Sequence, residues 1–208
     1  MSDFHQNGVI STLHNLSTRS LDDIERELRD YSKSAPIELI LPSLYSELEG
    51  PALKNIVECL SKVKYLNHIT IGLDRATKKE YIKAKEFFSN LNQSHSVLWN
   101  DSPKMKKLDK DFMALGIAPD QAGKGKNVWY CMGYTYSRNE AKVVALHDCD
   151  IMTYSRELLA KLVYPVADPH FNYEFCKGYY PRVRDGSLGG RVTRLLVCLL
   201  YTSDAADD

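Results

Sequence analysis

The chain has 208 residues, 44% of them hydrophobic and 26% charged, which is enough for one packed domain with a sizeable core. Lys+Arg and Asp+Glu balance at 27 each, which argues against bulk binding of nucleic acid or of an anionic membrane, so any basic site must be local. No apolar run approaches the ~18 residues of a membrane helix, and the N-terminus lacks a basic segment followed by an apolar one. The five cysteines, Cys59, Cys131, Cys149, Cys176 and Cys198, have no C-x-x-C pair and no metal-ligand spacing. A reduced, soluble, cytoplasmic protein without a membrane span is expected.

After a polar start, Ser20-Leu21-Asp22-Asp23 predicts a capped helix with Leu21, Ile24, Leu28 and Tyr31 on one face, preceding the core rather than building it. Pro36 introduces a first strand, Ile37 to Ser43, that stops at Pro42, and the loop from Pro42 to Glu47 is a candidate ligand loop. A helix follows Gly50-Pro51 with Leu53, Ile56, Val57, Leu60 and Val63 at helical spacing, and then a second strand, His68 to Leu73. That strand ends in charge at Asp74-Arg75, before Thr77 and Glu80 cap another helix. Ser96 to Trp99 is a third strand, and Asn100 to Pro103 a turn that can start a helix, one face of which carries Asp109-Lys110-Asp111. Strands alternating with helices of this length favour a mostly parallel α/β sheet with helices on both faces.

Gly123-Lys124-Gly125-Lys126 opens the next helix, whose Val128, Tyr130, Cys131, Met132 and Tyr134 exceed one apolar stripe and predict a well-buried element. Glycines before a helix N-terminus let backbone N–H groups approach an anion, and lysine adds charge. The pattern is no Walker loop, and it also fits a basic loop that merely begins a helix. The run Val143 to Leu146 then reads as a buried strand ending in two carboxylates, Asp148 and Asp150. In an open α/β sheet the crevice beyond the strand ends is where ligands enter, and hard carboxylate oxygens suit Mg²⁺ or Mn²⁺ carrying substrate phosphates. Ser155 to Val163 reads as a helix, Tyr164 to Pro169 as a rigid connection, and Phe171 to Tyr180 as a strand with Phe171, Tyr173 and Phe175 in the core. Gly189-Gly190-Arg191-Val192-Thr193 pairs backbone freedom with a guanidinium and a hydroxyl, which suits a second anion or a plain glycine turn.

The strand ending in Pro42, the Gly123-Lys124-Gly125 loop with Trp129 after it, Asp148-Cys149-Asp150, and Lys177 followed by Gly189-Gly190-Arg191-Val192-Thr193 occur in an order that resembles the glucosyl-3-phosphoglycerate synthases. These are retaining glycosyltransferases of the GT-A fold, and the resemblance covers residues 36 to 197. It implies a Rossmann-like GT-A domain there, incomplete at its C-terminus, with residues 1–35 an N-terminal extension and helix. It also implies that Pro42, Leu44, Glu47, Asp74 and Lys124 contact the nucleotide-sugar donor, that Asp148 lies beside the ribose, and that Asp150 ligates Mg²⁺ or Mn²⁺. Lys177, Gly190, Arg191 and Thr193 would hold the phosphorylated acceptor. The Asn-Glu expected after the first strand is out of register here, and Asp74-Arg75-Ala76-Thr77 replaces an Asp-Ser-Gly-Ser, so Glu47 and Asp74-Arg75 are the positions that would decide donor choice.

Residues 198–208 resemble the translation of a transposase adapter used in library preparation, which implies a non-native tail and a missing histidine of the metal site. His147 alternates away from the aspartates and is expected to be structural. The reaction implied is metal-dependent transfer of glucose, with retention, from a nucleotide-diphosphate sugar such as UDP-glucose to 3-phosphoglycerate. No nucleophile or general base is assignable. The alternatives are another donor such as GDP-mannose or another small acceptor, binding without turnover, and a nucleotidyltransferase. Partners would be the donor and a small phosphorylated acceptor, with neither nucleic acid nor membrane; a homodimer is allowed, the oligomeric state being unreadable.

Overall fold

The computed structural model describes residues 19–171 and 173–178, together with the backbone of 182–184 and 187–189. The chain divides into two compact units, residues 20–176 and a second made of 1–19 with 177–208. In the second, β5 (Arg182–Arg184) and β6 (Ser187–Gly189) pair antiparallel, Val183 opposite Leu188.

The larger unit is a four-stranded parallel sheet of β1 (Ile37–Leu44), β2 (Leu66–Asp74), β3 (His95–Trp99) and β4 (Val143–Leu146), in the order β3-β2-β1-β4. Its helices are α1 (Leu21–Ser34), α2 (Pro51–Ser61), α3 (Lys78–Phe88), α4 (Pro103–Ala114), α5 (Lys124–Arg138) and α6 (Arg156–Ala167), with a short 3-10 turn at Tyr45–Glu49. The chain builds outward from β1 to β3 and then returns to lay β4 on the other side of β1. That reversal puts a topological switch point between β1 and β4, where the chain diverges in opposite directions and leaves a crevice.

Strand β1 is buried from Ile37 to Ser43, as expected of a central parallel strand. It continues past Pro42, where the sequence suggests a stop. The Ile40 carbonyl accepts from the His147 N–H at 3.1 Å, so Ile40 faces β4, and two residues on, the nitrogen of Pro42 faces the same side. Pairing with β4 ends at Ile40 and Leu146, so the missing N–H of Pro42 breaks no ladder bond, while Pro42 to Leu44 stay in register with Gly72 to Asp74.

Five expectations change. Helix α1 helps build the core: its capped amphipathic stripe buries Ile24 and Leu28, and Glu25 pairs with Arg156 of α6 at 3.2 Å. Strand β4 is buried on alternate residues, Val143 and Ala145, because α6 packs on one face while α5 packs over β1 and β2. Helix α5 buries one face, with Tyr130, Cys131 and Thr135 inside and Tyr136 86% exposed. Helix α6 runs through Pro165 to Ala167, the proline being tolerated in its last turns, and no strand is present among the described residues of 171–178, where Phe175 is 78% exposed.

Candidate functional site

The ends of β1, β2 and β4 and the first turn of α5 enclose an open cleft with room for about 200 Å³, lined by Pro42, Ser43, Leu44, Glu47, Asp74, Arg75, Gly123, Lys124, Asn127, Asp148, Cys149 and Asp150. It lies at the switch point between β1 and β4.

The β1 wall is held by its own loop. Glu47, in the turn Tyr45–Glu49, accepts the Leu44 N–H on Oε2 at 2.9 Å, and buried Leu48 anchors that turn. One carboxylate oxygen of Glu47 thus serves the backbone. The β2 wall ends in Asp74, whose Oδ1 accepts the Arg75 N–H at 3.1 Å, and Arg75 is exposed.

Helix α5 supplies the cation. Gly123 precedes it at φ 144°, a conformation open to glycine, and this bend brings the helix start over the strand ends. One turn into the helix, buried Asn127 donates Nδ2–H to the Gly72 carbonyl of β2 at 2.8 Å. Lys124 forms an ion pair with Asp148 across the cleft. The second lysine of the loop does different work: Lys126 pairs with Asp109 of α4 at 2.7 Å, and Tyr130 donates its hydroxyl to the same carboxylate at 2.5 Å. Burial pushes the Asp109 carboxyl up, but these two donors hold it below the usual carboxylate range. Asp109 therefore fastens α4 to α5.

At the β4 end Asp148 is half-buried and Asp150 exposed, while Cys149 between them is buried and its thiol is pushed well above the usual range by that burial. His147 is buried behind the site with Nδ1 3.0 Å from the Tyr154 hydroxyl, and burial lowers it to about 4, so it is a neutral structural group. Among the described residues no three His, Cys, Asp or Glu side chains form a group that could hold a metal ion. Asp148 and Asp150 bring hard carboxylate oxygens to the cleft, a chemistry that suits a divalent cation sharing its remaining ligands with diphosphate oxygens and water.

The cleft gathers Pro42, Leu44, Glu47, Asp74, Lys124, Asp148 and Asp150 from three strand ends and one helix. Lys177 is exposed and lies in the second unit, and Gly190, Arg191 and Thr193 lie outside the described residues. Ser43, Arg75, Gly123 and Cys149, neighbours of those residues in the same loops and motifs, line the cleft as well, and so does Asn127, which sequence reasoning missed because only the crossing of α5 over β1 and β2 brings it there.

No protein-family model matches the chain. It is 48% identical over 195 residues to the glucosyl-3-phosphoglycerate synthase of Persephonella marina, a match covering 94% of this chain and 48% of that protein. The chain is similar in sequence to a glucosyl-3-phosphoglycerate synthase. A synthase of the same name from Methanococcoides burtonii is 37% identical over 198 residues, again covering 94% of this chain and 48% of the relative. The chain therefore spans about half the length of the curated synthases it matches. In structure it resembles glucosyl-3-phosphoglycerate synthase of Mycobacterium tuberculosis in complex with phosphoglyceric acid, at 18% identity and a TM-score of 0.51 over 88% of this chain and 53% of that one. That likeness, with the parallel sheet flanked by helices, establishes the GT-A fold. No described helix is long and apolar enough to cross a membrane.

Proposed function

We propose that this chain is the donor-binding part of a retaining glucosyltransferase that moves glucose from a nucleotide-diphosphate sugar, UDP-glucose by preference, to 3-phosphoglycerate. The observation that carries the reading is the convergence of Lys124, Asp148 and Asp150 on one cleft at the switch point of the sheet. The names of its relatives, which make glucosyl-3-phosphoglycerate, supply the reaction class.

In this reading Lys124 and the free N–H groups of the first turn of α5 give fixed positive potential to the donor diphosphate, and the strand ends exclude part of its water shell. Asp150, with Asp148 beside it, would hold Mg²⁺ or Mn²⁺. Bound there with the diphosphate, the ion supplies Lewis-acid neutralisation of the leaving group. The ion pair with Asp148 neutralises Lys124 within the cleft, and the ammonium exchanges that partner for the donor phosphate on binding. Pro42 and Leu44 offer an apolar edge to the nucleoside, and Glu47 orders their loop. Lys177, Gly190, Arg191 and Thr193 are the proposed acceptor contacts, with orientation of 3-phosphoglycerate as their work.

The test is incubation of the chain with Mn²⁺ and either 3-phosphoglycerate with UDP-glucose or GDP-mannose, or UTP with glucose 1-phosphate, with the product read by NMR. Formation of α-linked glucosyl-3-phosphoglycerate from UDP-glucose supports the reading. Mannosyl product formed faster, or pyrophosphate released from UTP and a sugar phosphate, contradicts it.

A further inference from the structure

The two carboxylates of the cleft stand on a loop rather than on the strand itself. Residues 147–155 connect β4 to α6 without regular secondary structure, and Asp148 and Asp150 lie at the start of that connection. The backbone bond from the Tyr154 N–H to the Ile151 carbonyl is long, at 3.4 Å. The loop is held by its buried side chains. Cys149, between the two aspartates, is packed in the core, with Asp148 and Asp150 in the cleft wall on either side of it.

At the two ends of the loop, His147 and Tyr154 meet. His147 Nδ1 is hydrogen-bonded to the Tyr154 hydroxyl at 3.0 Å, and the two rings stand edge to face with centroids 5.3 Å apart. Both side chains are buried. Each is tied to a different neighbour. The His147 N–H donates to the Ile40 carbonyl of β1 at 3.1 Å, and Asn55 of α2 donates Nδ2–H to the Tyr154 carbonyl at 3.0 Å. The next residue, Ser155, caps α6 by accepting the Leu158 N–H at 3.2 Å. The second ring nitrogen of His147, Nε2, is buried without a hydrogen-bond partner. Loss of the tyrosine hydroxyl would therefore leave both nitrogens of a buried imidazole unpaired, which a buried polar group resists by moving.

We infer that Tyr154 is a positioning residue for the metal: by clasping His147 it closes the loop 147–154 and holds Asp148 and Asp150 where a divalent cation can use both. The inference rests on the nucleotide-sugar reading given above. Tyr154 lines no part of the cleft, so its effect is geometric. Mg²⁺ demands near-octahedral oxygen ligands at about 2.0–2.1 Å, and a carboxylate on a loose loop must be ordered each time the ion binds. Groups that orient metal ligands in this way contribute about 10–100-fold in metal affinity.

The experiment is calorimetric titration of UDP, with and without Mn²⁺, into the 208-residue chain, Tyr154→Phe, Asp150→Ala and the double variant. Tyr154→Phe removes the hydroxyl and keeps the ring. It is expected to lower the gain in UDP affinity that Mn²⁺ confers by about tenfold. Because Tyr154 acts through the aspartates, the double variant should bind no more weakly than Asp150→Ala alone, whereas a merely structural loss would weaken binding with and without metal alike and add to that of Asp150→Ala. Asn55→Ala, which frees the Tyr154 carbonyl from α2, is expected to lower the Mn²⁺ gain in the same direction and carries the test if Tyr154→Phe does not fold. A folded Tyr154→Phe chain with the parent's Mn²⁺ gain, or losses that add in the double variant, overturns the role of Tyr154 and leaves the nucleotide reading standing. An unsubstituted chain that binds no UDP, or an Asp150→Ala chain with the parent's Mn²⁺ gain, overturns both.

Discussion

The side-chain amide of Asn127 donates to the carbonyl of Gly72 at 2.8 Å, and a Cβ on Gly72 would lie 1.9 Å from Asn127 Oδ1 and 2.5 Å from Cys131 Sγ. The Asn127 and Cys131 side chains of α5 therefore occupy the space a Cβ at Gly72 would need, and this contact helps set the first turn of α5, with Lys124, over the strand ends. Gly72→Ala is expected to destabilise the fold by about 1–3 kcal/mol through overpacking and to weaken donor binding, because the buried Asn127 and Cys131 side chains must give way and Asn127 loses its bond to the Gly72 carbonyl. Urea unfolding and titration with UDP-glucose check both; an alanine variant as stable as the parent would show that α5 has slack at this crossing.

Lys124→Ala removes the cation opposite Asp148. A charge-assisted hydrogen bond to phosphate contributes about 1.5–3 kcal/mol, so UDP affinity should fall about ten- to hundredfold by calorimetry, with Lys124→Arg closer to the parent. Equal affinities for parent and alanine variant would remove Lys124 from the diphosphate site.

Asp109 and Asp111 are two residues apart on α4 but differ in their partners. Asp109 takes Lys126 and Tyr130, while Asp111 is exposed on the helix surface. Asp109→Ala is expected to cost about 1–3 kcal/mol and Asp111→Ala no more than about 0.5 kcal/mol. Thermal unfolding of the pair distinguishes them, and equal losses would contradict the fastening of α4 to α5.

The alternation of strands and helices was legible because each strand is a compact β-branched or leucine-rich run bounded by Pro36, Gly72-Leu73-Asp74 or the aspartates after Leu146. The carboxylates at the strand ends were legible for the same reason, since the strand places them. What escaped depends on how elements cross. Nothing local marks Asn127 as the partner of Gly72, and an arginine carries no signal for a left-handed turn at position 75. Helix α1 looked peripheral because its apolar stripe is short, yet Ile24 and Leu28 complete the core. The aromatic alternation from Phe171 to Phe175 has the period of a strand, but without a neighbouring ladder it forms none among the described residues.

Acid should unsettle the network beneath α5. His68 is buried on β2, with Nδ1 2.9 Å from Ser94 Oγ and Nε2 3.1 Å from Ser96 Oγ, and burial first, then the charge of Arg138, lowers it to about 4. Glu140 opposes that shift, His95 adds to it, and Glu38 faces the ring from β1 at 3.8 Å with its own carboxyl raised by burial. Between its ordinary value of 6.5 and about 4, the unfolded chain takes up a proton that the folded chain refuses. The stability that neutral His68 contributes is thus present above pH 6.5 and is lost as the pH falls through that window, by about 1.4 kcal/mol per pH unit at most. In urea unfolding at a series of pH values, His68→Gln should flatten this stretch of the curve; an unaltered slope would assign the acid sensitivity to other groups.

The central claim, a metal-assisted nucleotide-sugar site at the ends of β1, β2 and β4, is tested most directly by calorimetric titration of UDP-glucose into the chain with and without Mn²⁺, beside Asp150→Ala. Saturable binding that needs Mn²⁺ and that Asp150→Ala weakens by at least tenfold is the predicted result. Binding that is indifferent to the metal and to Asp150, or a folded chain that does not bind the donor, would contradict it.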